Sequence, residues 1–252
     1  MKQITLIGNG NMATSMIAQL SSSFQITVVG RNQDKLAKLK NEFPNINTAS
    51  LFQYDISAQN VILCVKPYAL QAVADTLKGT ANCLFSILVG TKISTLSCIN
   101  ASHYYRIMPN VGAKYAHSIT AIYSQSDTKI AEEIFSFVGS VVVADSEAEI
   151  DMAAALCSSA VAFLALVADS LSDGAVKEGM NREKSMQYLS GLFDSFSSLL
   201  QNNVSPYDIK NSVMSPAGTT IAGYSELEKG AVRSSFIDAI GKSCQRAKQI
   251  SS

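Results

Sequence analysis

The residues with the most chemistry in them are Gly8-Asn9-Gly10-Asn11-Met12-Ala13, placed directly after the apolar run Ile4 to Ile7. They form a G-x-G-x-x-A pattern between a predicted strand and a predicted helix. Gly8 permits a tight turn, and Gly10 lets the backbone approach a pyrophosphate. Ala13 keeps the helix close to the strand, and the N–H groups of the helix start, around Asn11 and Met12, face the phosphates. An ordinary glycine turn uses the same residue types. The order of strand, motif and helix is what points to a dinucleotide. The next strand, Phe24 to Val29, runs into Gly30-Arg31-Asn32. An NAD site places Asp or Glu about 20 residues after the glycines, on the ribose 2′-hydroxyl. Here that place holds Gly30 and then Arg31. A guanidinium binds a 2′-phosphate through charge-assisted, often bidentate hydrogen bonds. Asn32 adds an amide donor, and Lys35 follows one turn on. The pattern favours NADP(H), with NAD(H) as the alternative. A solvated basic residue at a strand end is the plain counter-reading.

Further polar sets stand at the ends of apolar runs. They are Cys64-Val65-Lys66-Pro67, Val89-Gly90-Thr91 and Met108-Pro109-Asn110. Ligands of open α/β sheets bind at the carboxyl ends of strands, so these loops are the expected nicotinamide side of the cleft. A solvated lysine before a proline turn would look the same as Lys66. Further on, Ser215-Pro216-Ala217-Gly218-Thr219-Thr220 crowds small and hydroxylic residues into a turn near a helix start. Such a turn offers backbone N–H groups to an anion such as a carboxylate; a plain interhelical turn is equally compatible with it.

The elements that must position these groups follow from periodicity. Apolar runs mark strands at 3–7, 25–29, 60–65, 82–89, 103–107, 117–123 and 140–144. Helical stretches fall at 11–21, 32–42, 68–77 and 127–138. This alternation predicts parallel pairing in a doubly wound, Rossmann-type α/β sheet over residues 1–146. From about residue 147 the pattern is all helix, giving a second domain over 147–252. Its first helix contains an uncharged stretch from Met152 to Ala168, flanked by Glu149, Asp151, Asp169 and Asp173. The stretch is at the short limit for a membrane span and lacks basic anchors, so no membrane is expected. A helix apolar all round is buried on every side, and a domain this small does not surround it alone. A second copy of the chain does so more simply, which predicts a homodimer or higher homo-oligomer. A second helix is predicted from Arg182 to Gln201 with Asn181 as its N-cap. A third is predicted to follow Ser225, spaced from Glu228 as in a capping box.

Composition excludes other classes. The 252 residues carry 20 basic and 20 acidic side chains, so no nucleic-acid surface is expected. Five widely spaced cysteines without a C-x-x-C read as reduced thiols. The N-terminal residues lack the features of a signal peptide, and the expected location is the cytoplasm. Two histidines make a histidine-rich metal site improbable, and no metal is expected. A Cys98–His103 nucleophilic pair is the remote alternative.

The chain resembles the pyrroline-5-carboxylate reductase family. The matching pieces are GNGNMA at 8–13, VVGRN at 28–32, VKP at 65–67 and RIMPN at 106–110, then SPAGTTIAG at 215–223 and LEKGAVR at 227–233. Few other dinucleotide enzymes combine R-x-M-P-N with S-P-x-G-x-T. The resemblance implies hydride transfer from NAD(P)H to the C=N carbon of a cyclic imine, 1-pyrroline-5-carboxylate, in proline biosynthesis. It implies a nicotinamide near Lys66, Pro67 and Asn110. Ser215 and the N–H groups from Gly218 through Thr219 to Thr220 would hold the substrate carboxylate. Thr220 would bond the ring nitrogen and relay its proton. Intertwined helical domains would bring the 215–220 loop to the cleft of the other subunit. The chain departs from the family's G-S-G-P-A at Ser158-Ser159-Ala160-Val161-Ala162, and from S-P-G-G at Ala217. Three rivals stand beside this reading. One is another NADP-dependent imine or hydroxyacid reductase, although the latter class relies on a lysine that the stretch 152–168 lacks. The second is a dinucleotide-sensing protein without turnover, and the third a membrane-attached protein.

Overall fold

The computed structural model describes residues 2–250. The framework divides into two compact units, one of residues up to 159 with those from 243 on, the other of residues 160–242.

The first unit is an eight-stranded sheet. In chain order come β1 (Gln3–Ile7), α1 (Asn11–Leu20), β2 (Gln25–Gly30), α2 (Gln33–Glu42), β3 (Asn47–Ser50), β4 (Asn60–Leu63) and α3 (Leu70–Ala74). They are followed by β5 (Ala81–Ser86), α4 (Ile93–Leu96), β6 (Ala101–Met108), β7 (Ser118–Ser124), α5 (Lys129–Ser136), β8 (Gly139–Val143) and α6 (Glu147–Ala153). The strand order is β3-β2-β1-β4-β5-β6-β7-β8. The first six strands pair in parallel in the order of a dinucleotide-binding sheet. Because side chains alternate, the central strands are apolar on both faces. Ile4 and Leu6 of β1 pack into one buried layer with Met16, Ile17 and Phe85. Ile7, Val29, Val61 and Leu63 pack into the opposite layer with Leu70 and Leu96.

One expectation needs correction. β7 runs antiparallel to β6, with Ile107 opposite Ile122, and parallelism resumes only between β7 and β8. The link between them, residues 109–117, is too short for the crossover of a dozen or more residues that parallel neighbours need. β3, α4 and α9 (Pro206–Val213) also form where no element was expected. Asn47-Thr48-Ala49-Ser50 has no apolar run, and β3 holds its place at the sheet edge by pairing with β2.

The second unit is helical. A continuous helical segment spans Glu147–Lys177. It comprises α6, a π-helical turn at Ala154–Ser159 and α7 (Ala160–Lys177), so only its last part belongs to this unit. After it come α8 (Arg182–Gln201), α9, α10 (Thr219–Lys229) and α11 (Val232–Ile250), whose residues from 243 on belong to the first unit. Asn181 caps α8 as expected, its Oδ1 accepting from the Glu183 N–H at 2.9 Å. Arg182 donates to the Ser172 hydroxyl, which in turn pairs with Ser185, and this pins α7 to α8. The capping box at Ser225 does not exist. Ser225 lies inside α10 and its hydroxyl donates to the Ile221 carbonyl. The i, i+3 spacing of a capping box recurs on any helix face, which is why it misleads here.

The Glu147–Lys177 segment is long and apolar enough to cross a membrane by length and composition. Within one chain its apolar stretch is not buried on every side. Leu156 and Leu166 are 66% and 68% exposed.

Candidate functional site

A cleft of about 770 Å³ opens at the carboxyl ends of β1, β2, β4, β5 and β6. All the expected cofactor residues line it: Gly8 through Met12, Arg31 and Asn32, Val65 through Pro67, and Asn110. Among the described residues its walls contain no carboxylate and no histidine, while Arg31, Lys35 and Lys66 give it positive charge.

The two motif glycines act differently. Gly8 has φ +115°, and its N–H donates to the Val29 carbonyl at 2.8 Å. A Cβ there would lie 2.5 Å from the Cys64 carbonyl oxygen, so the turn admits only glycine. Gly10 is extended, and a Cβ added to it meets nothing within 4 Å. The space in front of Gly10 is open cleft. No side chain caps α1, whose first-turn N–H groups are therefore available to an anion. A cradle with an open side, unclaimed donors and positive walls fits a dinucleotide pyrophosphate.

At the end of β2, Gly30 has a steric reason to lack a side chain. A Cβ there would come within 2.9 Å of the Asn9 amide nitrogen. Asn9 in turn donates to the Asn32 carbonyl. The position where an NAD site carries its acid is thus taken by a neighbour. Arg31 and Lys35 are exposed beside it, and neither enters an ion pair among the described residues. Asn32 is less free than expected. Its Oδ1 caps α2 by accepting from the Lys35 N–H at 2.9 Å. Lys66 is exposed and extended ahead of Pro67, which starts a short 3-10 turn. Cys64 lines the cleft, but burial pushes its thiol far above the ordinary range, so it is no nucleophile at neutral pH.

Asn110 lies at the cleft, but both ends of its amide are engaged within the chain. Its Nδ2 donates to the Cys157 carbonyl at 2.9 Å, and its Oδ1 accepts from the Gly112 N–H at 2.9 Å. Its own N–H donates to the Ser118 hydroxyl. The side chain therefore shapes the wall, tying the turn after β6 to the π turn. Ser158 adds a second tie, its hydroxyl donating to the Pro109 carbonyl at 3.0 Å.

Arg106 has a role that the sequence reading did not assign. Its side chain is 1% exposed, with Nη2 2.6 Å from Asp151 Oδ1 and Nη1 3.6 Å from Glu147 Oε1. Nη1 also donates to the Glu147 carbonyl. Glu147 further accepts from the Ile93 N–H. This buried cation fastens α6 across β6, two residues upstream of the Met108-Pro109-Asn110 turn. The signal available was an arginine inside an apolar strand, with carboxylates spaced i, i+4 at 147 and 151.

Ser215, Gly218, Thr219 and Thr220 lie in the second unit. They form a tight turn into α10. The Gly218 N–H donates to the Ser215 carbonyl at 3.0 Å, and Gly218 caps α10 without a side-chain acceptor. A Cβ on Gly218 would collide with the Ser215 hydroxyl. Ala217 sits at φ +59°, the left-handed region that glycine occupies more easily. The turn leaves Ser215, Thr219 and Thr220 exposed beside the first-turn N–H groups of α10.

Comparison with known proteins adds an independent line. Residues 147–250 match the family model described as pyrroline-5-carboxylate reductase dimerisation, and residues 3–90 match that of NADP oxidoreductase, coenzyme F420-dependent. A pyrroline-5-carboxylate reductase of Helicobacter pylori is 35% identical, over 98% of this chain and 100% of its own. The 1-pyrroline-5-carboxylate reductase structure from Streptococcus pyogenes superimposes with a TM-score of 0.87 at 26% identity, covering 98% of both chains. The pyrroline carboxylate reductase of Plasmodium falciparum, solved with NADP bound, shares the fold at a TM-score of 0.84 and 21% identity, over 100% of this chain and 98% of its own.

Proposed function

The chain belongs to the pyrroline-5-carboxylate reductase family, and from that premise we infer that it is an NAD(P)H-dependent oxidoreductase reducing 1-pyrroline-5-carboxylate to proline. The observation that carries this reading is a positively walled cleft with a glycine floor and, among the described residues, no carboxylate or histidine along it. Reduction of an imine needs held reactants and an oriented nitrogen, not a proton-abstracting dyad. When bound, NADPH supplies the hydride to the C=N carbon.

The chain's own residues do the rest. Gly8 and Gly10 bring backbone close to the pyrophosphate, at the uncapped start of α1. Arg31 and Lys35 receive the 2′-phosphate, and Asn32 fixes the start of α2 beneath them. Val65, Lys66 and Pro67, with the turn at Asn110, wall the nicotinamide end. We assign the substrate carboxylate to the Ser215 hydroxyl and the N–H groups of Gly218, Thr219 and Thr220. The Thr220 hydroxyl bonds the ring nitrogen. A threonine is a poor acid at its ordinary pKa, so it orients the nitrogen and passes on a proton drawn from water. We place the enzyme in the cytoplasm as a homodimer or higher homo-oligomer. The helical module over 147–252 then serves as dimerisation domain, and a second copy covers the exposed leucines of Glu147–Lys177.

The test is NADPH oxidation in the presence of 1-pyrroline-5-carboxylate, with Thr220→Ala beside the wild type. Wild-type turnover is expected. Thr220→Ala should lower kcat and kcat/KM together by roughly tenfold or more, as loss of a transition-state hydrogen bond does, without changing NADPH affinity. NADPH binding without imine-dependent oxidation would replace the reductase by a dinucleotide sensor.

A further inference from the structure

The hydroxyl of Ser158 has no task in the scheme above. Ser158 stands on the π turn Ala154–Ser159, where the family pattern begins with glycine, and it lines the cleft beside Met108, Pro109 and Asn110. Its proton is committed, because Oγ donates to the Pro109 carbonyl at 3.0 Å. That bond aims the acceptor lone pairs of Oγ elsewhere. The backbone beneath it is also held, since the preceding Cys157 carbonyl accepts from the Asn110 amide. The Asn110 side chain is buried, with one amide N–H and its Oδ1 already engaged in these ties. At this end of the cleft Ile87, Val89, Met108 and Val111 are apolar and Lys66 is only a donor. The Ser158 hydroxyl thus offers a free acceptor beside the Met108–Asn110 turn.

The strand order fixes which part of the ligand meets it. The phosphate-binding features follow β1 and β2, while the Met108–Asn110 turn follows β6, on the far side of β4 and β5. A dinucleotide with its 2′-phosphate at Arg31 and its pyrophosphate at Gly10 therefore has its nicotinamide toward β6. A nicotinamide carboxamide carries two N–H donors.

We propose that Ser158 accepts a hydrogen bond from the carboxamide nitrogen of the bound nicotinamide and so fixes the rotation of the ring in the cleft. A glycine at this position cannot make that bond, so the contact distinguishes this chain from the family pattern. The proposal rests on the NADP(H) reading of the cleft.

The test is a binding cycle with the full-length protein, read by calorimetry and requiring no imine. NADP is compared with its 3-acetylpyridine analogue, in which a methyl group replaces the amide NH2 and the carbonyl remains. The wild type is set against Ser158→Ala, Ser158→Gly and Ser158→Thr. The wild type should prefer NADP over the analogue by roughly three- to tenfold more than the Ala and Gly variants do, the size of one net neutral hydrogen bond. Ser158→Thr, which keeps the hydroxyl, should retain the wild-type ratio. Agreement between Ala and Gly excludes a loosened helix as the cause. An unchanged ratio in both variants overturns the role of Ser158 while leaving the cofactor assignment standing. Failure of the wild type to bind NADP at all overturns the cofactor reading and this proposal with it.

Discussion

Replacing Arg106 by alanine separates the fold from its clamp. The guanidinium is 1% exposed and ion-paired to Asp151 at 2.6 Å, with Glu147 at 3.6 Å. Its removal leaves the Asp151 carboxylate, only 14% exposed, without its cation, and the Glu147 carbonyl without its donor. Breaking one side of a buried pair costs about 3–5 kcal/mol. At this chain length each kcal/mol moves the melting temperature by roughly 2–4 °C, so the expected drop is about 6–20 °C. Arg106→Lys keeps the charge but loses the fork that reaches two partners, and should fall between wild type and alanine. Because Arg106 holds α6 against β6, the Asn110–Cys157 and Ser158–Pro109 ties should loosen as well. NADPH affinity should then fall together with stability, although Arg106 does not line the cleft. Thermal melts by circular dichroism and calorimetric titration with NADPH read the two effects. An alanine variant that melts within about 2 °C of wild type would refute the argument, being less than one kcal/mol of loss. So would a destabilised Arg106→Lys whose NADPH affinity is untouched.

Three further outcomes are expected. Arg31→Ala should weaken NADPH by roughly ten- to a hundredfold, the worth of one charge-assisted bond, and leave NADH nearly unchanged; equal losses in titration would remove Arg31 from the 2′-phosphate. Gly8→Ala should lower the melting temperature, because its φ of +115° and the Cys64 carbonyl exclude a Cβ, whereas Gly10→Val should melt like wild type yet fail to bind NADPH. Leu166→Asp, at a side chain 68% exposed in the single chain, should leave monomer folding intact but dissociate the assembly, as sedimentation velocity would report; an unchanged sedimentation coefficient would place the interface elsewhere.

How much of this was legible depended on the range of the interaction. The turn at Gly8, the open space at Gly10 and the cap at Asn181 depend on a few neighbouring residues, and all were readable in one dimension. The exposure of Arg31 at the end of β2 was readable too, and its proposed role comes from an absent acid at a fixed distance from the glycines. The reason for that absence was not: Gly30 is bare because Asn9 occupies its space, and only the parallel register of β1 and β2 brings them together. Asn110 lines the cleft as its turn predicts, but its amide nitrogen is tied to a carbonyl 47 residues away. Arg106 was quoted within a motif, yet its partners lie 41 and 45 residues downstream. The reversal at β7 was present as a short link, and the weight given to alternation overrode it. The false capping box at Ser225 shows the opposite error, a local pattern with no bond behind it.

The engagement of the Asn110 amide within the wall has a kinetic consequence. The wall it builds is ordered before any ligand arrives, with the β6 turn and the π turn locked through Asn110 and Ser158. Association at that end therefore involves little loss of backbone freedom. The ordering falls instead on the exposed side chains of Arg31, Lys35 and, at the rim, Tyr68, which is 89% exposed. Two of these three carry positive charge, so under the proposed assignment the encounter should be steered by long-range attraction to the phosphates and slow as salt rises. Dissociation, by contrast, is governed by the rigid end and should respond little to ionic strength. On the proposed assignment the cleft divides its labour in time: the β2 rim should capture, and the β6 wall retain.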